Sequence, residues 1–189
     1  MRLWKVVLKT YWWLWVIYTV SVIAALWQLS PVNTDTIYRV SVTIGIISGL
    51  LDMMSPYIFS RKGEWYRVGM SIFTYITYQL LHGLFLSIVP TFIILLHGDF
   101  TSTLLLISIS LLVAITISSG ISVTALLLTR MGIQPSMTLV ILSIFLIYNI
   151  PTISSAAAGI GMWLYLLLIG IYIGFLFIIF REVEGYDRG

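Results

Sequence analysis

The chain has 189 residues, of which 60% are hydrophobic and only 9% charged, and its mean hydropathy is +1.06. A soluble domain wets its surface with roughly 25% charged residues, so a water-soluble globule is excluded. The absence of cysteine removes disulfides, thiolate chemistry and cysteine-ligated metals. The net charge of +3 reads as membrane topology and not as nucleic-acid binding, because Lys and Arg accumulate in cytoplasmic loops.

Residues 1–10, "MRLWKVVLKT", place Arg2, Lys5 and Lys9 on one helical face with Leu3, Trp4, Val6 and Val7 elsewhere. That is the pattern of a short helix lying in the membrane interface. A plain positive flank before a first span fits the same residues. A cleaved signal peptide is the other reading of such a start. The run "YWWLWVIYTVSVIAALW" is longer than a typical signal core and rich in Trp, which favours a retained anchor.

Six apolar spans follow in chain order: residues 11–29, 37–59, 74–96, 100–129, 137–155 and 162–180. Each is of the order of the 20 residues needed to cross about 30 Å of hydrocarbon. The fourth is too long for one straight crossing, so the sequence predicts a tilt or a break near Ser118, Ser119 and Gly120. No charge separates the fifth span from the sixth. Their turn is expected within "SSAAAGIG", residues 154–161, where only glycine and small residues punctuate the run. The chain thus reads as an all-α integral membrane protein. The expected architecture is a six-helix transmembrane bundle with an N-terminal interfacial helix and both termini cytoplasmic, in the cell membrane. In that arrangement Arg39 alone of ten cations falls outside, a strong positive-inside signal.

Within the spans, glycine recurs four apart as "GIISG" (Gly45, Gly49) and "GIYIG" (Gly170, Gly174). Such pairs let a second backbone approach closely, either within the chain or at a seam between two copies. Pro56, Pro90 and Pro151 lie in or near spans and are expected to bend them. Asp52 is the one acid clearly inside a span, eight residues before Ser60 and so about 12 Å from the inner boundary. His82 lies eight residues after Thr74, at the same depth on the next, antiparallel span. The two either pair or are solvated separately near the cytoplasmic mouth.

Enzymatic parts are missing. There is no GxxxxGK[ST] phosphate loop, no metal or bis-haem histidine spacing (His82 and His97 are the only histidines), no arginine ladder and no Ser/His/acid constellation. Neither a cofactor nor a metal is expected, and the chain does not read as an enzyme.

The densest charge lies in "SRKGEWYR", residues 60–67: Arg61, Lys62, Gly63, Glu64, Trp65, Tyr66 and Arg67. As an anchor it would fix orientation, with Trp65 and Tyr66 at headgroup level. Its continuation "VGMSIFTY" carries apolar positions at Val68, Ile72, Phe73 and Ile76, compatible with a short amphipathic helix along the membrane.

This order resembles the permease subunits of type-2 ABC exporters, and among them most closely the small haem-exporter-type (CcmB-like) permeases. The resemblance is carried by "MRLWKVVLKT", by "LLDMMSPYIFSRKGEWYRVGMSIFTY", by "YQLLHGLFLSIVP" and by "SSGISVTALLLTRMGIQPSMTLVILSIFLIYNIP". It implies that Asp52 matches the family's acid, Gly63 its glycine and Arg130 its loop cation. Residues 60–73 would then be a cytoplasmic coupling segment. The sequence departs from the family at Glu64, which follows Gly63 directly, and at Tyr66, where a later acid is expected. No proline occurs between Pro56 and Pro90. What the resemblance implies is a permease moving an amphipathic or lipid-like substrate, with a separate ATP-binding subunit and a second permease copy or sister subunit as partners. A non-catalytic structural membrane subunit of a larger complex, for example a respiratory one, is the alternative, and an ion or proton path resting on Asp52 and His82 a third.

Overall fold

The computed structural model describes residues 34–52, 100–133 and 135–186, with isolated positions at 16, 88 and 92. The described chain is helical, in four elements: α1, Thr34–Asp52; α2, Phe100–Arg130; α3, Pro135–Ile160; and α4, Trp163–Tyr186. The expected interfacial helix, the spans at 11–29 and 74–96 and the segment 60–73 lie outside the described residues.

α1 opens with Asp35 in its first turn, where a carboxylate meets the positive end of the helix dipole. Asp35 also accepts a hydrogen bond from Arg39 Nε one turn on, at 2.8 Å and half exposed, an arrangement that contributes a few tenths of a kcal/mol. α2 is a single unbroken helix of 31 residues, about 46 Å long at helical rise. The break considered at Ser118–Gly120 is therefore not there. Ser122 Oγ donates to the Ser118 carbonyl at 3.0 Å and Thr124 Oγ1 to the Gly120 carbonyl at 2.8 Å. The hydroxyls are thus satisfied by the helix's own carbonyls and do not compete with it. The same back-bonding occurs at Ser41, Thr116 and Ser143, which is how so many hydroxyls are carried in apolar helices.

α2 stops at a Schellman turn. The Ile133 N–H donates to the Leu128 carbonyl at 2.9 Å, with Gly132 at φ 74°, a conformation glycine adopts without steric cost. Pro135 then opens α3, at the position where a missing N–H costs nothing. α3 continues through Pro151 and through the small residues after Ser154. The chain turns only at the last glycine of that stretch, Gly161 (φ 59°), with Met162. α3 and α4, which fall at the spans expected over 137–155 and 162–180, are accordingly longer than expected, ending at Ile160 and Tyr186.

The packing defines helix directions. Gly45 meets Val113 and Gly49 meets Ile117, so residue numbers rise together and α1 and α2 run parallel with a constant offset. Ser108 bonds Tyr165, Gly120 meets Phe175 and Val123 clusters with Ile179, so α4 is parallel to α2 as well. α3 runs the other way: Leu139 clusters with Leu50, Ile121 and Ala125, while Ala157 clusters with Tyr38 and Val42 at the opposite end. α2 stands in the middle, against α1, α3 and α4. α3 lies chiefly on α1. The core between them is Tyr38, Val42, Ile46, Ile109, Val113, Ala157 and Leu164.

Two segments, Phe100–Leu128 and Met137–Ile160, are long and apolar enough to cross a membrane; the apolar stretch of α4, Trp163–Ile179, is shorter. α3 and α4 turn large apolar side chains outward, among them Phe145, Tyr148, Leu166 and Phe177.

Candidate functional site

Of the described glycines, Gly45 and Gly49, in the seam between α1 and α2, are the most closely approached. A β-carbon added to Gly45 would lie 2.5 Å from Val113 Cβ and 2.8 Å from the Ser110 carbonyl oxygen. One added to Gly49 would lie 2.6 Å from Ile117 Cβ and 2.9 Å from the Ala114 carbonyl oxygen. The two helices therefore touch backbone to side chain, which no larger residue permits without displacement. Ser41 and Ser48, both buried, flank Gly45 on the same face of α1, at spacings of four and three residues.

The second glycine pair is used differently. No described atom lies within 4 Å of a β-carbon added at Gly170 or Gly174, and both positions are exposed on α4. The same four-residue spacing is thus filled by a neighbour on α1 and left open on α4.

Between α2 and α4 the contacts are of another kind. Gly120 leaves room for the Phe175 ring, whose Cε2 would be 3.0 Å from an added β-carbon. Nearer the other end, Ser108 Oγ and Tyr165 Oη share a hydrogen bond of 2.5 Å. Sequence reasoning did not single out Ser108, Tyr165, Gly120 or Phe175. Each is an isolated residue in an apolar run, and the hydrogen-bonded pair is 57 residues apart, so no local spacing signals it.

Asp52 is the last residue of α1. It lies seven residues after Gly45, two helical turns on, and so on the Ser41–Gly45–Ser48 face. The parallel offset sets it level with Gly120 of α2. The neighbouring α2 residues Ser118, Ser119 and Ser122 are buried. Arg130, exposed, ends α2, and Arg181, also exposed, lies on α4 at the same end of the bundle. His82, the expected partner of Asp52, and Arg61, Lys62, Gly63, Glu64, Trp65, Tyr66 and Arg67 lie outside the described residues. Among the described residues no three metal-ligating side chains gather.

Compared with protein-family models, with curated proteins and with solved structures, the chain matches none of them.

Proposed function

We propose that the chain is a six-span integral membrane protein acting as the permease subunit of an ABC-type exporter. A separate ATP-binding subunit would drive it to move an amphipathic or lipid-like substrate. The observation that carries the reading is the interlocking of α1. This helix leads toward "SRKGEWYR" and is also keyed into α2 through Gly45 and Gly49 and covered by α3. A push on the charged segment would then be passed to two neighbouring helices as a rigid displacement instead of being lost in side-chain motion.

The helix directions support the topology. Second, fourth and sixth spans of an alternating bundle run in one sense and the fifth in the other, as α1, α2, α4 and α3 do. Because α1 and α2 are parallel, the chain between them has to return from one end to the other, which is what the expected span at 74–96 would do. Arg130 and Arg181 then share an end with the exit of α1 toward Arg61, Lys62 and Arg67. Arg39, paired with Asp35, stands at the opposite, external end. Both termini would be cytoplasmic. The outward apolar faces of α3 and α4 suit contact with lipid.

A pull-down of the tagged protein in mild detergent, with mass spectrometry of what accompanies it, tests the proposal. The native chain should capture a protein with a phosphate-loop ATPase sequence. A variant with Arg61, Glu64 and Arg67 replaced by Ala should lose it. Capture of other membrane or redox subunits, with no ATPase and no effect of the substitutions, would replace the permease reading by that of a structural subunit.

A further inference from the structure

We infer that the outer side of α3 from Tyr148 to Gly159 is the contact surface for a second copy of this chain, packed parallel across a two-fold axis along the membrane normal. The inference gives the second copy of the proposed permease a surface, but it rests only on the membrane reading and not on the ATPase partner. Its starting point is Tyr148, 84% exposed at the middle of the apolar Met137–Ile160 segment. About 17 Å of helix separates it from either end of that segment, farther than a tyrosine side chain reaches. Tyrosine belongs at the membrane–water boundary, where its hydroxyl is wet. At mid-span a lipid-facing phenol has nothing to bond with. Thr152 and Ser155 are exposed on the same side, at the four- and three-residue spacing of one helix face. Among the described residues none bonds these three hydroxyls. Their neighbours Ser143, Asn149 and Ser154, by contrast, all bond carbonyls of α3 itself. Pro151, exposed beside them, has no N–H to give to the Ile147 carbonyl one turn back.

A second copy satisfies this face, and lipid does not. Two chains inserted in the same sense are related by a two-fold axis, so each residue of α3 meets its own counterpart. A hydroxyl both donates and accepts, so Tyr148, Thr152 and Ser155 are each complementary to themselves. The freed Ile147 carbonyl is a further acceptor at the level of Tyr148. Self-contact also requires that no like charges meet, and α3 carries no charged side chain. Close approach is open at Ser155 and Gly159, four residues apart. No described atom lies within 4 Å of a β-carbon added at Gly159, and small residues at that spacing let two backbones meet. The larger Met137, Ile141 and Phe145, also exposed, lie toward the other end. The two α3 helices therefore cross near Ser155 and part toward Met137, leaving that half to lipid. The outer side of α4 differs: Leu166, Gly170, Ile173 and Phe177 are exposed there, carry no hydroxyl and lose nothing in hydrocarbon.

The test uses the full chain in its membrane. The chain has no native cysteine, and Ser155→Cys only exchanges oxygen for sulfur. Copies carrying two different tags are co-expressed and oxidised with copper phenanthroline. The expected result for Ser155→Cys is a disulfide-linked species of twice the chain mass that carries both tags. It should be several-fold more abundant than for Ile173→Cys on α4. Tyr148→Phe, followed by energy transfer between labelled copies as lipid is added, should weaken association about eightfold, because symmetry removes two interhelical hydrogen bonds of average strength. A single-mass species for Ser155→Cys, equal linking for Ile173→Cys, or association unchanged by Tyr148→Phe would each overturn the inference. So would a Ser155→Cys variant that reacts with water-soluble maleimide without cross-linking, the mark of a water-filled path, or one that links to a different protein. Membrane insertion is scored separately by alkaline extraction and ATPase capture by the pull-down, so failure of either reading is distinguishable from failure of this contact.

Discussion

Gly45 and Val113 occupy space that only one of them can extend into. Replacing Gly45 by Leu should separate α1 from α2 and destabilise the fold by about 1–3 kcal/mol or more, measured by denaturant titration in micelles. The double variant Gly45→Ala with Val113→Ala should recover little of the loss of Gly45→Ala, since the Cβ at position 113, 2.5 Å from the added methyl, and the Ser110 carbonyl oxygen, 2.8 Å from it, both remain. Gly170→Ala, with no described atom within 4 Å, should change stability by less than about 0.5 kcal/mol. Equal losses at Gly45 and Gly170 would count against this assignment of the two glycine pairs. At the α2–α4 contact, a double-mutant cycle of Ser108→Ala and Tyr165→Phe should give a coupling of about 0.6 kcal/mol, the average for side-chain hydrogen bonds between membrane helices, and at most about 1.7 kcal/mol. A coupling near zero would mean that Phe175 on Gly120, not the hydroxyl pair, holds α4 to α2.

At the scale of the element, two glycines with positive φ decide where helices stop. Gly132 (φ 74°) and Gly161 (φ 59°) have open space around them, so the cost of an alanine there is conformational and not steric. Each of Gly132→Ala and Gly161→Ala should therefore cost about 1–2 kcal/mol without altering helix content measured by circular dichroism. Interior signals proved weaker than these terminal ones. Neither the Ser118–Gly120 stretch of α2 nor Pro151 of α3 ends its helix. In apolar surroundings the backbone has no water to bond with, so a helix that loses one bond or contains a glycine still outcompetes an open turn. That is why, within the expected stretch "SSAAAGIG", the turn comes only at the last residue: small residues permit a break, and the left-handed glycine at 161 is what makes one.

At the scale of the molecule, three parallel helices and one reversed set the ends of the bundle apart. The absence of native cysteine makes this directly testable. Single cysteines at Arg39 and at Arg130 or Arg181 should react with a membrane-impermeant maleimide from opposite sides of sealed vesicles. Labelling of Arg39→Cys and Arg181→Cys from one side would contradict the six-span arrangement, and with it the shared cationic end on which the coupling proposal depends.

Composition alone determined that this chain is helical and apolar, because 9% charge cannot wet a globule and continuous apolar runs must bond their own backbones. Hydropathy also placed the starts of the helices at 34, 100, 135 and 163 to within a turn, whereas the helices expected to end at 155 and 180 run on to Ile160 and Tyr186. What only the tertiary structure decided was the use of each residue within those runs. "GIISG" and "GIYIG" carry the same local signal, yet one is filled by Val113 and Ile117 and the other faces no described neighbour. The parallel register that sets Asp52 level with Gly120 likewise depends on residues some 68 positions apart. Such relations are fixed by shape complementarity between helices, and no periodicity along a single helix encodes them.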